Sequence, residues 1–110
     1  MEHDAIAALR GELGNALLCV LLGRSATSLQ LYAKGQRRMP PLVAQRVECL
    51  RRIASGLAGG YNRVGIRAWF ARPRPQLGQR SPLQVFALGW APSDPAVRQV
   101  ERLAASLRGN

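Results

Sequence analysis

Apolar residues recur at helical spacing along most of this chain, and strand-like alternation is scarce. The clearest case follows Pro41, where Val43, Val47, Leu50, Ala54 and Leu57 trace one face of a long amphipathic helix. A second stripe, Val97, Val100, Leu103, Ala104 and Leu107, predicts a helix near the end of the sequence. Shorter patterns lie around these two. Asp4 can cap a first helix carrying Ile6, Leu9 and Leu13, which Gly11 and Gly14 weaken and end or bend. Asn15 can cap a second helix through Leu22, stopped by Gly23. Ser25 can cap a third over 26–33, stopped by Gly35, with Leu29 and Tyr32 on one face. Pro41 suits the first turn of the fourth, where a missing N–H costs nothing, and Gly56, Gly59 and Gly60 close it. Asn62 can cap a short fifth helix reaching Trp69 and Phe70. Residues 71–80 form a loop restrained by Pro73 and Pro75. Ser81 and Pro82 open a sixth helix running to about 88 and broken by Gly89. Ser93 or Asp94 caps the seventh, with Pro95 in its first turn.

The predicted fold class is therefore all-α, with about seven helices. A length of 110 residues and 47% apolar content suit one compact domain, or two very small halves sharing a core. The boundary between an N-terminal half (1–57) and a C-terminal half (58–110) falls at the glycines that end the fourth helix.

Charge changes the picture. Sixteen basic residues face six acidic ones, and all the basic residues but Lys34 are arginine. Residues 1–33 carry a net of −1, residues 34–80 a net of +10, and residues 81–110 a net of +1. A field of one sign that dense is relieved by a polyanion, which makes nucleic acid the leading partner class. Other classes fall away. One histidine, His3 at an end expected to fray, builds neither a histidine metal site nor a serine–histidine triad. Two cysteines thirty positions apart, Cys19 and Cys49, make no zinc site alone and read as small core residues. The six acids are scattered, and Gly56, Gly59 and Gly60 lack the lysine and serine of a phosphate-binding loop. Neither an enzyme nor a cofactor is expected. No secretion signal is visible, and the longest apolar run, 16–22, is far below the roughly 20 residues that span a bilayer. The expected location is cytoplasmic, with no membrane partner and no disulfide.

The sharpest local signal lies between Asn15 and Pro40. An apolar helix ends at Leu22-Gly23, Ser25 caps the next, and Lys34-Gly35 ends that one. Two short helices joined by a tight glycine turn are what a helix-turn-helix needs. The second exposes Thr27, Ser28 and Gln30, which can read base edges in the major groove. Lys34, Arg37 and Arg38 follow and suit phosphates, positioning the protein without conferring sequence preference.

The string Leu22-Gly23-Arg24-Ser25-Ala26-Thr27-Ser28-Leu29, with Tyr32, Gly35 and Pro40, resembles the Xre-like helix-turn-helix family. That resemblance implies base contacts at Ala26, Thr27 and Leu31 and a phosphate contact at Ser28. Ala26 and Leu31 are small or apolar here and would meet only thymine methyls, so Gln30, Arg24 and Arg37 are further candidates for reading. Downstream, Trp69-Phe70, then Arg72-Pro73-Arg74-Pro75-Gln76-Leu77-Gly78, then Ser81-Pro82-Leu83, resembles the Xre/MbcA/ParS toxin-binding domain. This second resemblance covers about 57–107. It implies an antitoxin that represses its own promoter and obstructs a RES-type, NAD-consuming toxin, often with a C-terminal tail. The sequence departs from that pattern in two places. Only 108–110 follow the last apolar stripe, and Gln79 stands where a second glycine is common.

The physical reading beside it is that Trp69, Phe70 and Leu77 share a small core and that Gly78 supplies a turn. Trp90 is either core or an exposed anchor for a partner. Arg63, Arg67, Arg72, Arg74, Gln79 and Arg80 form a second basic stretch whose partner is DNA or protein. Three functions follow. The first is an autoregulating antitoxin that binds double-stranded DNA and a RES-type toxin. The second is a stand-alone regulator, of phage or prophage type, that touches DNA with both the helix-turn-helix and the basic 63–80 stretch. The third is an interaction adaptor that no longer binds DNA. Monomer and homodimer both remain open.

Overall fold

The computed structural model describes residues 2–87 and 89–108. Seven α-helices follow in order: α1 (Glu2–Leu13), α2 (Asn15–Leu22), α3 (Ala26–Ala33), α4 (Pro41–Leu57), α5 (Arg63–Trp69), α6 (Pro82–Phe86) and α7 (Pro95–Ala105). Two 3-10 turns, Pro75–Leu77 and Ser106–Arg108, complete the set. Among the described residues there is no strand, only an isolated antiparallel bridge between Arg74 and Arg80. The all-α expectation holds.

α4 is the centre of the molecule. Its stripe Val43, Val47, Leu50, Ala54 and Leu57 is buried, and so are Cys49, Ile53 and Gly56. The stripe is therefore wider than one face, because α4 is covered on two sides, by α1 and by α7. Ile6, Leu9 and Leu13 of α1 meet it on one side; Val97, Val100 and Ala104 of α7 meet it on the other. Trp69, Phe70, Leu77, Phe86 and Trp90 join the same buried cluster, so one core runs through both halves of the sequence. Four aromatic rings continue it in a chain: Trp69 edge-on to Phe70 at 5.4 Å, Phe70 to Phe86 at 6.4 Å, and Phe86 to Trp90 at 4.6 Å.

Helix ends follow the expected punctuation with local exceptions. The side chains of Ser25 and Asn62 cap α3 and α5 by accepting the backbone N–H three residues on. Ser81 and Gln84 form a reciprocal capping box on α6. Asp4 lies inside the first turn of α1 and does not cap it, and His3 is part of the same helix, beside Gly35. Gly14, with φ of 83°, precedes α2 in the place expected of Asn15, whose amide oxygen instead accepts from Arg10 Nε at 3.1 Å. α6 stops at Phe86, short of its expected end at 88, which lies outside the described residues. Asp94 precedes α7 but turns its carboxylate back, accepting the Ala91 N–H at 3.0 Å. Cys49 is buried, whereas Cys19 is only half-buried, packed against the core from its edge.

The tightest contact is between α4 and α7. A Cβ added at Gly56 would stand 2.6 Å from the Ala104 carbonyl oxygen, a backbone atom that cannot swing away. Gly56→Ala should therefore force the two helices apart and destabilise the fold by about 1–3 kcal/mol, the usual cost of overpacking a rigid contact. Chemical denaturation of the variant against the parent chain measures it; unchanged stability would mean that α7 shifts freely on α4.

Candidate nucleic-acid interface

α2 ends as backbone chemistry requires. The last carbonyls of a helix lack intrahelical partners, and a left-handed residue just beyond the end lets following N–H groups reach back. Gly23 has φ of 66°; its N–H donates to Val20 at 3.3 Å and Cys19 at 2.9 Å, and the Arg24 N–H donates to Cys19 at 3.1 Å. The chain then turns, and α3 leaves at 97° to α2. That angle lies in the range of a helix-turn-helix.

The outward side of α3 carries Ala26, Thr27 and Gln30, all exposed. Leu31 is half-buried, so only part of it faces out. Ser28 is also half-buried. Its hydroxyl accepts from Arg37 Nη1 at 3.1 Å and from Ser25 Oγ at 3.2 Å. The Ser28–Arg37 bond folds the segment after α3 back onto the start of that helix. Arg24, Lys34, Arg37 and Arg38 are exposed around it. Among the described residues, Arg24, Lys34 and Arg38 have no hydrogen-bonded or ion-paired side-chain partner. The nine candidates from 24 to 38 thus lie together on α3, the turn before it and the segment after it.

The second basic stretch does not form one free face. Arg67 donates from Nε to the Glu12 carbonyl and from Nη2 to the Gly11 carbonyl, both at 3.1 Å. It caps the C-terminal end of α1, where a cation is favoured. The Arg74 guanidinium lies 4.5 Å from the centre of the Trp69 ring, and its Nη2 reaches the Trp69 carbonyl at 3.4 Å. Burial pulls the Arg74 pKa below its ordinary value; Tyr61 opposes the shift and Arg72 adds to it. Arg80 donates from Nε to the Leu77 carbonyl at 3.1 Å. Gln79 sits at φ of 66°, directly after Gly78 at the same angle, and closes the turn that bonds Arg74 to Arg80. This left-handed backbone is what a glycine at 79 would adopt without strain. Arg74, half-buried on Trp69, is therefore corrected from a partner contact to a support of the fold, while Arg67 is exposed and bonded to the end of α1, and Arg63, Arg72, Gln79 and Arg80 are exposed.

Of the two alternatives for Trp90, the structure selects the core and corrects the partner-binding candidate. Only 4% of it is exposed, and its indole N–H donates to the Leu21 carbonyl at 2.7 Å, so it is no surface anchor. Beside it lies Arg46, which sequence reasoning did not single out. Arg46 donates from Nε to the Trp90 carbonyl at 2.7 Å and from Nη1 to the Leu22 carbonyl at 3.3 Å. Burial lowers its pKa, Arg24 lowers it further, and Asp94 opposes both. The signal was present: position 46 lies on the apolar face of α4, between Val43, Val47 and Leu50, where a charged residue needs a partner.

The acids are engaged elsewhere. Arg51 holds Glu48 through Nη2 and Oε1 at 2.6 Å, and that hydrogen bond keeps the Glu48 carboxyl below the usual range. Arg52 holds Glu101 at 3.1 Å. Burial would raise the Glu101 pKa, but hydrogen bonds from Arg52 and Cys49 outweigh it, and the pKa falls. Burial pushes the Cys49 thiol up to about 12, so it donates to Glu101 as a neutral group. Among the described residues no group of three or more His, Cys, Asp or Glu could hold a metal ion. No single helix is long and apolar enough to cross a membrane.

Two neighbouring arginines separate support from binding. Arg74→Ala should uncover Trp69 and lower stability by about 1 kcal/mol or more, whereas Arg72→Ala should leave the melting temperature unchanged. Paired thermal melts check this; equal effects would mean that Arg74 is as free as Arg72.

No family model matches this sequence, and neither does any curated protein. Its fold is similar to that of a chain in the crystal structure of the M. tuberculosis MbcT–MbcA toxin–antitoxin complex, at a TM-score of 0.74 and 20% identity. The match covers 96% of this chain and 92% of that one, so the likeness takes in both halves of the molecule.

Proposed function

We propose that this chain is a DNA-binding antitoxin that represses its own promoter and pairs with a cognate toxin. The observation that carries the DNA reading is the 97° turn between α2 and α3, with exposed cations on either side of α3. In this reading the start of α3 enters the major groove. Thr27 and Gln30 offer hydrogen bonds to base edges, and the Ala26 methyl can meet a thymine methyl. Arg24, Lys34, Arg37 and Arg38 face phosphates on both sides. The antitoxin part draws on the likeness to a chain of a toxin–antitoxin complex over nearly the full length. It also draws on the Trp69-Phe70, Leu77-Gly78 and Ser81-Pro82-Leu83 string. A RES-type toxin is the partner which that resemblance implies. The chain itself is assigned no catalytic role and no cofactor: Glu48 and Glu101 are each held by an arginine.

The stand-alone regulator is the second reading. Arg63 and Arg72 favour it, since both are exposed and, among the described residues, have no acidic partner within ion-pair distance. Arg74 is half-buried against Trp69 and weakens it, and exposed Arg67 is already bonded to the end of α1.

Titration of a duplex from the gene's own upstream region across a salt series tests the DNA reading. Affinity should fall linearly on logarithmic axes. Arg37→Ala with Arg38→Ala should weaken binding to every sequence and flatten the slope by about two, at roughly 0.9 per phosphate lost. Thr27→Ala or Gln30→Ala should instead change which sequences are preferred. An affinity indifferent to salt removes DNA from the reading. Co-purification with the products of flanking genes tests the antitoxin part. A neighbour in fixed stoichiometry that is toxic alone supports it. A lone protein that retains its upstream DNA, and loses it with Arg63→Ala and Arg72→Ala, supports the stand-alone regulator.

A further inference from the structure

The end of α2 has four carbonyls to satisfy, and it satisfies them in two ways. Those of Cys19 and Val20 are met locally, by the N–H groups of Gly23 and Arg24. Those of Leu21 and Leu22 are met from far along the sequence, by Trp90 and Arg46. These two are themselves joined. Arg46 Nε donates to the Trp90 carbonyl at 2.7 Å, and its guanidinium lies 5.3 Å from the Trp90 ring centre. Trp90 sits between α6 and α7, packed on Phe86, and the Ala91–Asp94 bond closes the turn behind it. A chain of bonds therefore runs from the α6–α7 connection, through α4, to the last turn before α3.

We propose that Trp90 and Arg46 are positioning residues for α3: by holding the Leu21 and Leu22 carbonyls, they fix the angle at which α3 leaves α2. The α6–α7 connection thereby sets how well α3 fits a specific DNA site. Neither residue needs to touch DNA. Trp90 is buried, and Arg46 Nε and Nη1 donate to backbone carbonyls. The inference rests on the DNA reading above and adds which part of the C-terminal half governs it. Loosening the clamp lets α3 tilt, and its long, flexible cationic side chains still reach phosphates. Specific binding, which depends on the fit of base edges, then suffers, and binding to phosphates at large does not.

The test uses the full chain and two duplexes, one from the gene's own upstream region and one of scrambled sequence. Trp90→Phe keeps a ring but removes the donor to Leu21. Arg46→Met keeps length and removes the fork, and Arg46→Lys restores one charged donor. Arg52→Gln, on the opposite seam with Glu101, controls for lost stability. Trp90→Phe and Arg46→Met should lower affinity for the specific duplex about tenfold, the scale of losing one buried hydrogen bond. Affinity for the scrambled duplex and the salt slope should stay at parental values. Arg46→Lys should recover part of the loss, and Arg52→Gln should leave the ratio of the two affinities unchanged even where its melting temperature falls. Amide shifts of residues 25–28 should move in the first two variants only. Parental specificity in both Trp90→Phe and Arg46→Met overturns the clamp alone. So does a loss shared equally by the two duplexes and tracking the melting temperature. A parental chain that binds neither duplex overturns the DNA reading and the clamp together.

Discussion

The close approach of α4 and α7 at Gly56 and Ala104 is the constraint on which the other contacts depend. With backbone against backbone at that point, α7 lies deep enough for Val97, Val100 and Ala104 to enter the core. α4 then has a covered face on each side, one against α7 and one against α1. That explains why a helix with charged residues at Arg46, Glu48, Arg51 and Arg52 buries eight positions. A chain of this length gains little from a thin core, and sharing α4 between two halves lets each use the same buried surface.

The excess of arginine acquires a structural meaning in this frame. The net charge of +10 is concentrated in residues 34–80, but the arginines divide by what they touch. Arg46, Arg67, Arg74 and Arg80 donate to backbone carbonyls, mostly at the ends of short helices. Arg51 and Arg52 neutralise Glu48 and Glu101. A planar guanidinium with several fixed donors suits such work, since one side chain satisfies two carbonyls while its stem packs on apolar neighbours. Among the described residues, the exposed cations without a hydrogen-bonded or ion-paired partner include Arg24, Lys34 and Arg38 around α3, and Arg63, Arg72 and Arg98 apart from it.

The proposed function draws these features together. An antitoxin that also represses transcription must carry two contact surfaces on one small scaffold. In the proposed reading both surfaces belong to a molecule with a single core, and packed elements connect its two halves. The bonds from Trp90 and Arg46 to the end of α2 are the most direct such connection.

Much of the fold was legible in the sequence because its signals are local. The stripe of α4, the caps at Ser25, Asn62 and Ser81, the stop at Gly23 and the start at Pro41 depend on neighbours three or four residues away. The misplaced caps, Asp4 and Asn15, are cases where a residue with the right chemistry stood one turn or one position from the end that packing selected. The placement of residues 24–38 on and around α3 was legible for the same reason, since the segment is contiguous. Which arginines are free, and whether Trp90 faces solvent, was not. Those answers depend on carbonyls brought near by packing: Leu21 lies 69 residues from Trp90, and Gly11 lies 56 from Arg67. The sequence by itself determined the helices, their order and the excess of positive charge, because propensity, capping and charge reside in the residues themselves. Only the tertiary structure decided where that charge is spent, because an unpaired carbonyl at a helix end draws whichever donor the packing places beside it.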